Sequence, residues 1–484
     1  MFSIWTLALI TGLYVLTLFG IAAWGNKLGR PHRSVYALAL GVHCTSWAFF
    51  GTTTQSLQFG WAVIPTYLGV IFVMLFGFSV LRKIAHICRQ HRISSLAEFI
   101  GIRYHHSNVL AGLVVALCFV GVIPYIALQL DAISSAIALM TTDNSEWSGS
   151  ISLYVTVFMA VFSIWFGTRT LDLTTKRNGL MLTIAFESVL KLAGLLVVGI
   201  YCVYVLSDGW LDLLDKSLDN EITKATLEKP FAAWVYISHI LLGICSMFCL
   251  PRQFHINFIE NNNDNELKHA RWVFPLYLSL MTLFILPIAL TGQLLFTDSA
   301  TNTDSFVLSI PISQNNHGVT IMAYLGGLAA STSMIIVATL ALGNMVANNL
   351  LTPLWLYSRH LHAGQPRLSA HQLLRIRQST IIVLLFIAYW YHQNISQASP
   401  LVKSGTIAIA LMAQTLPAIL LGLYWQNAHK FAAMIGLLSG SAIVISQMLY
   451  PAVLSSYYFA PAPNDVDFAF AIFLSLGLNF ALLV

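Results

Sequence analysis

Charge is what this sequence has least of. Of its 484 residues only 9% are Asp, Glu, Lys or Arg, while 57% are hydrophobic, and a soluble domain carries about 25% charged residues. A water-facing surface cannot be assembled from that ratio, which excludes an ordinary soluble protein. Cysteine is scarce as well: Cys44, Cys118, Cys202, Cys245 and Cys249 fall in apolar runs and Cys88 in a basic loop, so neither a disulfide framework nor a metal-site spacing is present. There is no P-loop, no Gly-rich dinucleotide fingerprint and no nucleophile elbow in a suitable setting, so nothing in these residues supports an enzyme. No basic stripe with interleaved aromatics occurs either, which argues against a nucleic acid partner.

What the chain does have is long apolar runs. A membrane helix needs roughly 20 mostly apolar residues, because lipid offers no partner to a bare amide or carbonyl. Runs near 3–24, 35–57, 61–82, 108–140, 150–168, 179–206, 231–250, 270–296, 319–352, 379–396, 402–424, 430–450 and 466–484 meet that need, predicting thirteen spans. The first has no positive charge before it and Lys27, Arg30 and Arg33 after it, so it reads as a span entering with its N-terminus outside rather than as a cleaved leader. With the following loop placed inside, the inner loops hold nineteen of the 24 Lys and Arg residues and the outer loops four, with Lys191 in a helix. That asymmetry obeys the positive-inside rule and puts the C-terminus in the cytoplasm of a cell with this protein in its inner membrane. The outer segment 207–230 is rich in Asp and Glu and reads as a solvated cap.

Polar groups and helix breakers inside the spans are costly in hydrocarbon and mark interior pathways. The second span carries Gly41, His43, Cys44, Thr45, Ser46, Trp47 and Gly51 in sequence. It reads equally as a broken helix or as one packed closely through small residues. The ninth span has Ser331, Thr332 and Ser333 in mid-helix, hydroxyls that suit a hard cation but also bond back to their own helix. Tyr125 and Gln129 share a face of the fourth span, where Asp131 follows within reach of a partner such as Lys191. Glu187 and Lys191 are spaced i, i+4 in the order that favours a structural ion pair. In the seventh span His239 suits either a solute or a satisfied interior role, Pro251 marks the exit and Arg252 reads as an anchor at the inner face.

Seven stretches together carry a resemblance: Cys44–Gly51, Ser94–Tyr104, Pro124–Leu130, Phe166–Arg169, Ala185–Lys191, Leu250–His255 and Leu416–Trp425. In order and content they resemble the sodium/solute symporter family, most closely the membrane input domain of CbrA-type sensor histidine kinases. The resemblance implies an all-α integral membrane fold of about 13 transmembrane helices with inverted five-helix repeats. One peripheral helix occupies 1–34, the repeats span 35–206 and 231–425 around the outer loop 207–230, and two helices fill 426–484 before any kinase module.

It also implies a site. A sodium ion would lie between the backbone of Gly41 and Cys44, with His43 adjacent, and Leu328, Ser331 and Thr332. The solute would contact Thr45, Ser46, Trp47, Phe50, Tyr125, Gln129, His239 and Gly243. His43 stands where the proline symporter has an aspartate important for sodium, so the coupling ion is sodium or a proton, or there is none. Gly243 faces that symporter's substrate tryptophan and leaves room for a larger solute. L-histidine is the solute the CbrA-type resemblance suggests, with a cytoplasmic kinase and a response regulator as partners and no further cofactor. An ordinary symporter of amino acids or carboxylates without signalling, and a receptor that binds without transport, are the alternatives.

Overall fold

A computed structural model describes residues 2–28, 32–141, 148–167, 178–296, 301–355, 369–394, 401–458 and 464–484. They are helical almost throughout: among them extended pairing is limited to one bridge between Phe2 and Thr141. The elements are α1 (Ile4–Gly25), α2 (Arg33–Ala39), α3 (Thr52–Phe59), α4 (Pro65–Phe76), α5 (Phe78–Gln90), α6 (Leu96–Arg103), α7 (Asn108–Met140), α8 (Ser148–Gly167) and α9 (Asn178–Tyr204). After two short helices, α10 (Trp210–Asp219) and α11 (Glu221–Leu227), come α12 (Ala233–Cys249), α13 (Pro251–Phe254), α14 (Asp264–Leu283), α15 (Ile285–Leu295), α16 (Phe306–Ser313) and α17 (His317–Val346). The chain closes with α18 (Ala370–Asn394), α19 (Leu401–Ala413), α20 (Thr415–Tyr424), α21 (Lys430–Val444), α22 (Tyr450–Tyr458) and α23 (Asp465–Leu483).

Nine helical stretches among the described residues are long and apolar enough to cross a membrane, or eleven if each of two bent pairs is one span. The bent pairs are α4 with α5, turned by 74°, and α12 with the segment after Pro251, turned by 53°. The remaining predicted spans are α8, whose apolar part is shorter, and the run 35–57, which is interrupted. Parts of three inner loops, with Arg30, Arg169, Lys176, Arg177, Arg359 and Arg367, and the end of the motif Phe166–Arg169 lie outside the described residues.

The surface confirms a multi-pass membrane protein. Trp5, Leu9, Phe72, Phe386 and Trp390 point outward, while Gln55, Glu187, Lys191 and Arg252 are buried. That inversion of the soluble pattern follows when lipid is the solvent, because ions and amides must then find partners inside. α17 is the axis: 94% of its apolar window is buried, against 22% for α1. It packs on α9, where a Cβ at Gly194 would stand 3.1 Å from the Cα of Gly326. Small residues permit such backbone approach, which replaces the missing hydrophobic drive between helices in lipid.

Candidate functional site

The second predicted span is broken. α2 tightens into a 3-10 turn at Leu40–His43, Cys44 is extended with φ −79° and ψ 99°, and helix resumes through a π turn at Trp47–Gly51 before α3. The interruption leaves backbone groups without helical partners, and other elements supply them. The side-chain Oε1 of Gln129 accepts from the Ser46 amide at 3.0 Å, and its Nε2 donates to the Tyr125 carbonyl at 3.2 Å. Gln129 therefore holds the restart of the helix. The hydroxyl of Tyr125 lies 3.3 Å from that of Thr45. A second interruption lies at Leu250, extended with φ −74° and ψ 120° before Pro251, as expected of a residue that precedes proline.

Into the first break reaches Lys191 of α9. Its Nζ donates to the carbonyls of Gly41 at 2.9 Å and Cys44 at 2.8 Å and to the hydroxyl of Ser333 at 3.2 Å. These three acceptors match the three N–H donors of an ammonium. Glu187 and Lys191 thus do not form the direct ion pair that their spacing suggested. The carboxylate instead accepts from Tyr14 of α1 at 2.8 Å and from Thr332 of α17 at 2.5 Å. The reason is supply: a broken helix presents free carbonyls across the bundle, and they compete successfully with a carboxylate one turn away.

The expected sodium ligands change accordingly. Thr332 serves Glu187 and the Leu328 carbonyl, and Ser331 bonds back to the Gly327 carbonyl at 3.1 Å. Ser333 is the α17 hydroxyl that faces Gly41 and Cys44. These residues do not fit a sodium ion in the expected place, because an ammonium already takes both carbonyl oxygens and would repel a second cation.

Beside the break lies a cavity of about 10 Å³, room for a single water, lined by His43, Trp47, Thr52, Gln55, Thr66 and Tyr67 among others. Five buried polar atoms of this wall have no hydrogen-bond partner among the described residues: His43 Nδ1, Trp47 Nε1, both amide atoms of Gln55 and Thr66 Oγ1. Ser46 Oγ, next to it, is likewise unpartnered. Gln55 and Thr66 were not among the sequence candidates. Gln55 stands in the polar run Thr52–Ser56 and Thr66 follows Pro65 at the start of α4, and only the tertiary structure brings the two to one cavity. Phe50 fills the space left by Gly327 and also borders a wider cleft of about 60 Å³ with Asp131, Ser135, Asn302 and Asp304. Among the described residues the basic side chain near Asp131 is the His392 imidazole, at 3.8 Å, rather than Lys191.

Two expected solute contacts stand elsewhere. His239 Nδ1 is 2.8 Å from the Val235 carbonyl and its ring meets Phe59 edge-on at 5.7 Å, a satisfied interior histidine outside the cavity wall. Replacing His239 by leucine is therefore expected to leave solute uptake within about twofold of wild type, since no contact near the break is lost; a tenfold loss in transport assays would return it to the site. Gly243 opens no space. A Cβ there would overlap the Thr66 carbonyl oxygen and stand 3.2 Å from the Cα of Gly69, so it is the crossing point of α12 and α4.

No protein-family model matches the chain. It is 23% identical over 462 residues to the uncharacterized symporter YodF of Bacillus subtilis (strain 168), a match that covers 90% of this chain and 87% of that protein. It superposes on a solved structure of a Na+-coupled sialic acid symporter, in a substrate-bound outward-open state, with a TM-score of 0.74 at 13% identity, covering 98% of this chain and 96% of that one. The chain therefore has the fold of that symporter. A manganese transporter of Eremococcus coleocola is more distant, with a TM-score of 0.49 at 14% identity over 94% of each chain.

Proposed function

We propose that this protein is a secondary transporter that binds a small polar solute at the break in its second span and carries it across the membrane. The observation that carries the reading is the wall of His43, Trp47, Gln55 and Thr66, whose buried donors and acceptors find no partner among the described residues. Each such group costs about 1–3 kcal/mol when left unmade, so a wall with five of them calls for a polar guest, a water or a solute group. Donors and acceptors together suit a solute with both. The symporter relative and the fold of a Na+-coupled symporter support the same reading.

The finer architecture follows the sequence reading: thirteen spans and two inverted five-helix repeats at 35–206 and 231–425, in a bacterial inner membrane, N-terminus outside and C-terminus cytoplasmic. Its support is the pair of breaks, each in the first helix of its proposed repeat, at Cys44 and at Leu250. L-histidine as solute, and service as input to a sensor kinase and response regulator, rest on the resemblance. For the coupling ion, Lys191 is read as a tethered cation that takes sodium's place between Gly41 and Cys44, so uptake does not draw on sodium at this site.

The test is uptake of labelled L-histidine into proteoliposomes under a sodium gradient, a proton gradient or neither, with competing amino acids. Accumulation is expected, with any sodium dependence arising away from the Gly41 and Cys44 carbonyls. Trp47→Ala is expected to cut it at least about tenfold while the protein stays in the membrane, because the cavity loses its largest wall and a donor. Binding without accumulation under any gradient would favour the receptor reading, and wild-type uptake by Trp47→Ala would remove the break from the site.

A further inference from the structure

We propose that Arg252 is the anchor for a carboxylate on the solute, which makes the substrate class small carboxylates, amino acids among them; this rests on the reading of the breaks as the solute site. Arg252 follows the interruption at Leu250 and its side chain is buried in the bundle, not placed at a membrane face as its sequence position suggested. Its Nη2 donates to the Tyr125 hydroxyl at 3.2 Å, and its guanidinium carbon lies 4.5 Å from the centre of the Tyr125 ring. Its Nε has no hydrogen-bond partner among the described residues. A guanidinium carries five N–H donors, and among the described residues no carboxylate lies within ion-pair distance of this one.

The buried carboxylates are engaged elsewhere. Glu187 accepts from Tyr14 and Thr332 through Oε1, with Oε2 left open, Glu260 lies 3.2 Å from the His255 ring nitrogen, Glu266 accepts from the amide of Asn262 at 2.8 Å, and Asp304 accepts from the Thr54 hydroxyl. The face of one aromatic ring is only a partial counter-charge. A buried cation without its counter-ion is costly, and inside a membrane bundle such a residue is retained for function. Lys191 does not fill this role, since its three donors are already taken.

The position joins the two breaks. The Tyr125 hydroxyl touches Arg252 beyond the second break and Thr45 within the first. The Tyr125 and Trp47 rings both flank Gly405, standing 3.5 and 3.4 Å from where its Cβ would be. A carboxylate would be held here by the planar fork of Arg252 and by the Tyr125 hydroxyl, next to the first break through Thr45. The planar donor pair of arginine matches a carboxylate bidentately, which a lysine cannot do.

The experiment uses the full chain in lipid nanodiscs, with thermal stabilisation and binding isotherms for a panel of amino acids, small hydroxy and keto acids, their primary amides, and uncharged sugars and polyols. A carboxylate is expected to stabilise the wild type, and its amide to bind at least about 30-fold more weakly, as for loss of a partner from a buried charge pair. Arg252→Gln is expected to bring the acid-to-amide ratio close to one, and Tyr125→Phe to lower it in part. Should Arg252→Gln not be recovered as a monodisperse protein, Arg252→Lys takes its place and must lower the same ratio. An unchanged ratio in these variants, or a sugar or polyol bound and taken up in preference to any acid, overturns the carboxylate inference and leaves transport standing. A wild type that neither binds nor accumulates any member of the panel overturns both.

Discussion

Replacing Lys191 by methionine is expected to lower uptake at least about 100-fold and to lower the melting temperature of the protein, with the chain still inserted in the membrane. Methionine keeps the length of the side chain and removes its charge and three donors. The Gly41 and Cys44 carbonyls, now at 2.9 and 2.8 Å from the ammonium, would be left without their partner in the break. Breaking a buried charged contact costs about 3–5 kcal/mol, and the lower end of that range is already about 100-fold in the population of the competent state. Glu187, one turn away, would also lose the nearby positive charge that balances it. A second measurement separates this account from simple misfolding. With Lys191→Ala the two carbonyls and Ser333 face a space that a hard cation can enter, so sodium chloride, compared with choline chloride at equal ionic strength, is expected to raise the melting temperature of that variant and not of the wild type. A sodium-induced rise in the melting temperature of the wild type equal to that of Lys191→Ala, or wild-type uptake by Lys191→Met, would contradict the tethered-cation reading.

Gly243→Leu is expected to abolish recoverable folded protein, and Gly243→Ala to give an intermediate loss. The atoms that a Cβ at Gly243 would meet belong to backbone: the Thr66 carbonyl and the Cα of Gly69. In return, a Cβ at Gly69 would overlap the Ile240 carbonyl and stand 2.8 Å from the Ile244 amide. No side chain can swing aside, so α4 and α12 must part along their length. Overpacking costs about 1–3 kcal/mol in a yielding core and more where only backbone can move. Size-exclusion profiles and melting curves of the detergent-extracted variants give the answer. A monodisperse Gly243→Leu protein with the wild-type melting temperature would restore the sequence expectation that Gly243 borders open space for a solute.

Much of the frame was legible because it rests on short-range chemistry. The apolar runs declared themselves by length, and the cluster from Gly41 to Ser46 stood out in a sequence otherwise poor in polar groups. Pro251 announced a chain that must leave helical geometry at Leu250, and it does so. What failed was pairing. Spacing on one helix led Glu187 to Lys191, whereas each found its partners on other helices: Tyr14 and Thr332 for the acid, Gly41, Cys44 and Ser333 for the base. Tyr14 lies in an N-terminal run that reads as lipid-facing, and nothing in that run marks the one face that turns inward. Ser331 and Ser333 differ by two residues, which is about 200° around a helix, so the choice between them needs the rotation of α17.

The sequence by itself determined that this protein lives in lipid, roughly where its apolar helices run, and that polar groups gather in the second span, because those outcomes depend on hydrophobic length, charge and composition. Only the tertiary structure decided which cation fills the first break, that Arg252 has no carboxylate within ion-pair distance among the described residues, and that Gln55 and Thr66 share a wall with His43 and Trp47. Those facts depend on which helix faces which, at what rotation and depth, and in an apolar bundle a polar side chain takes whichever partner the neighbouring backbone presents first.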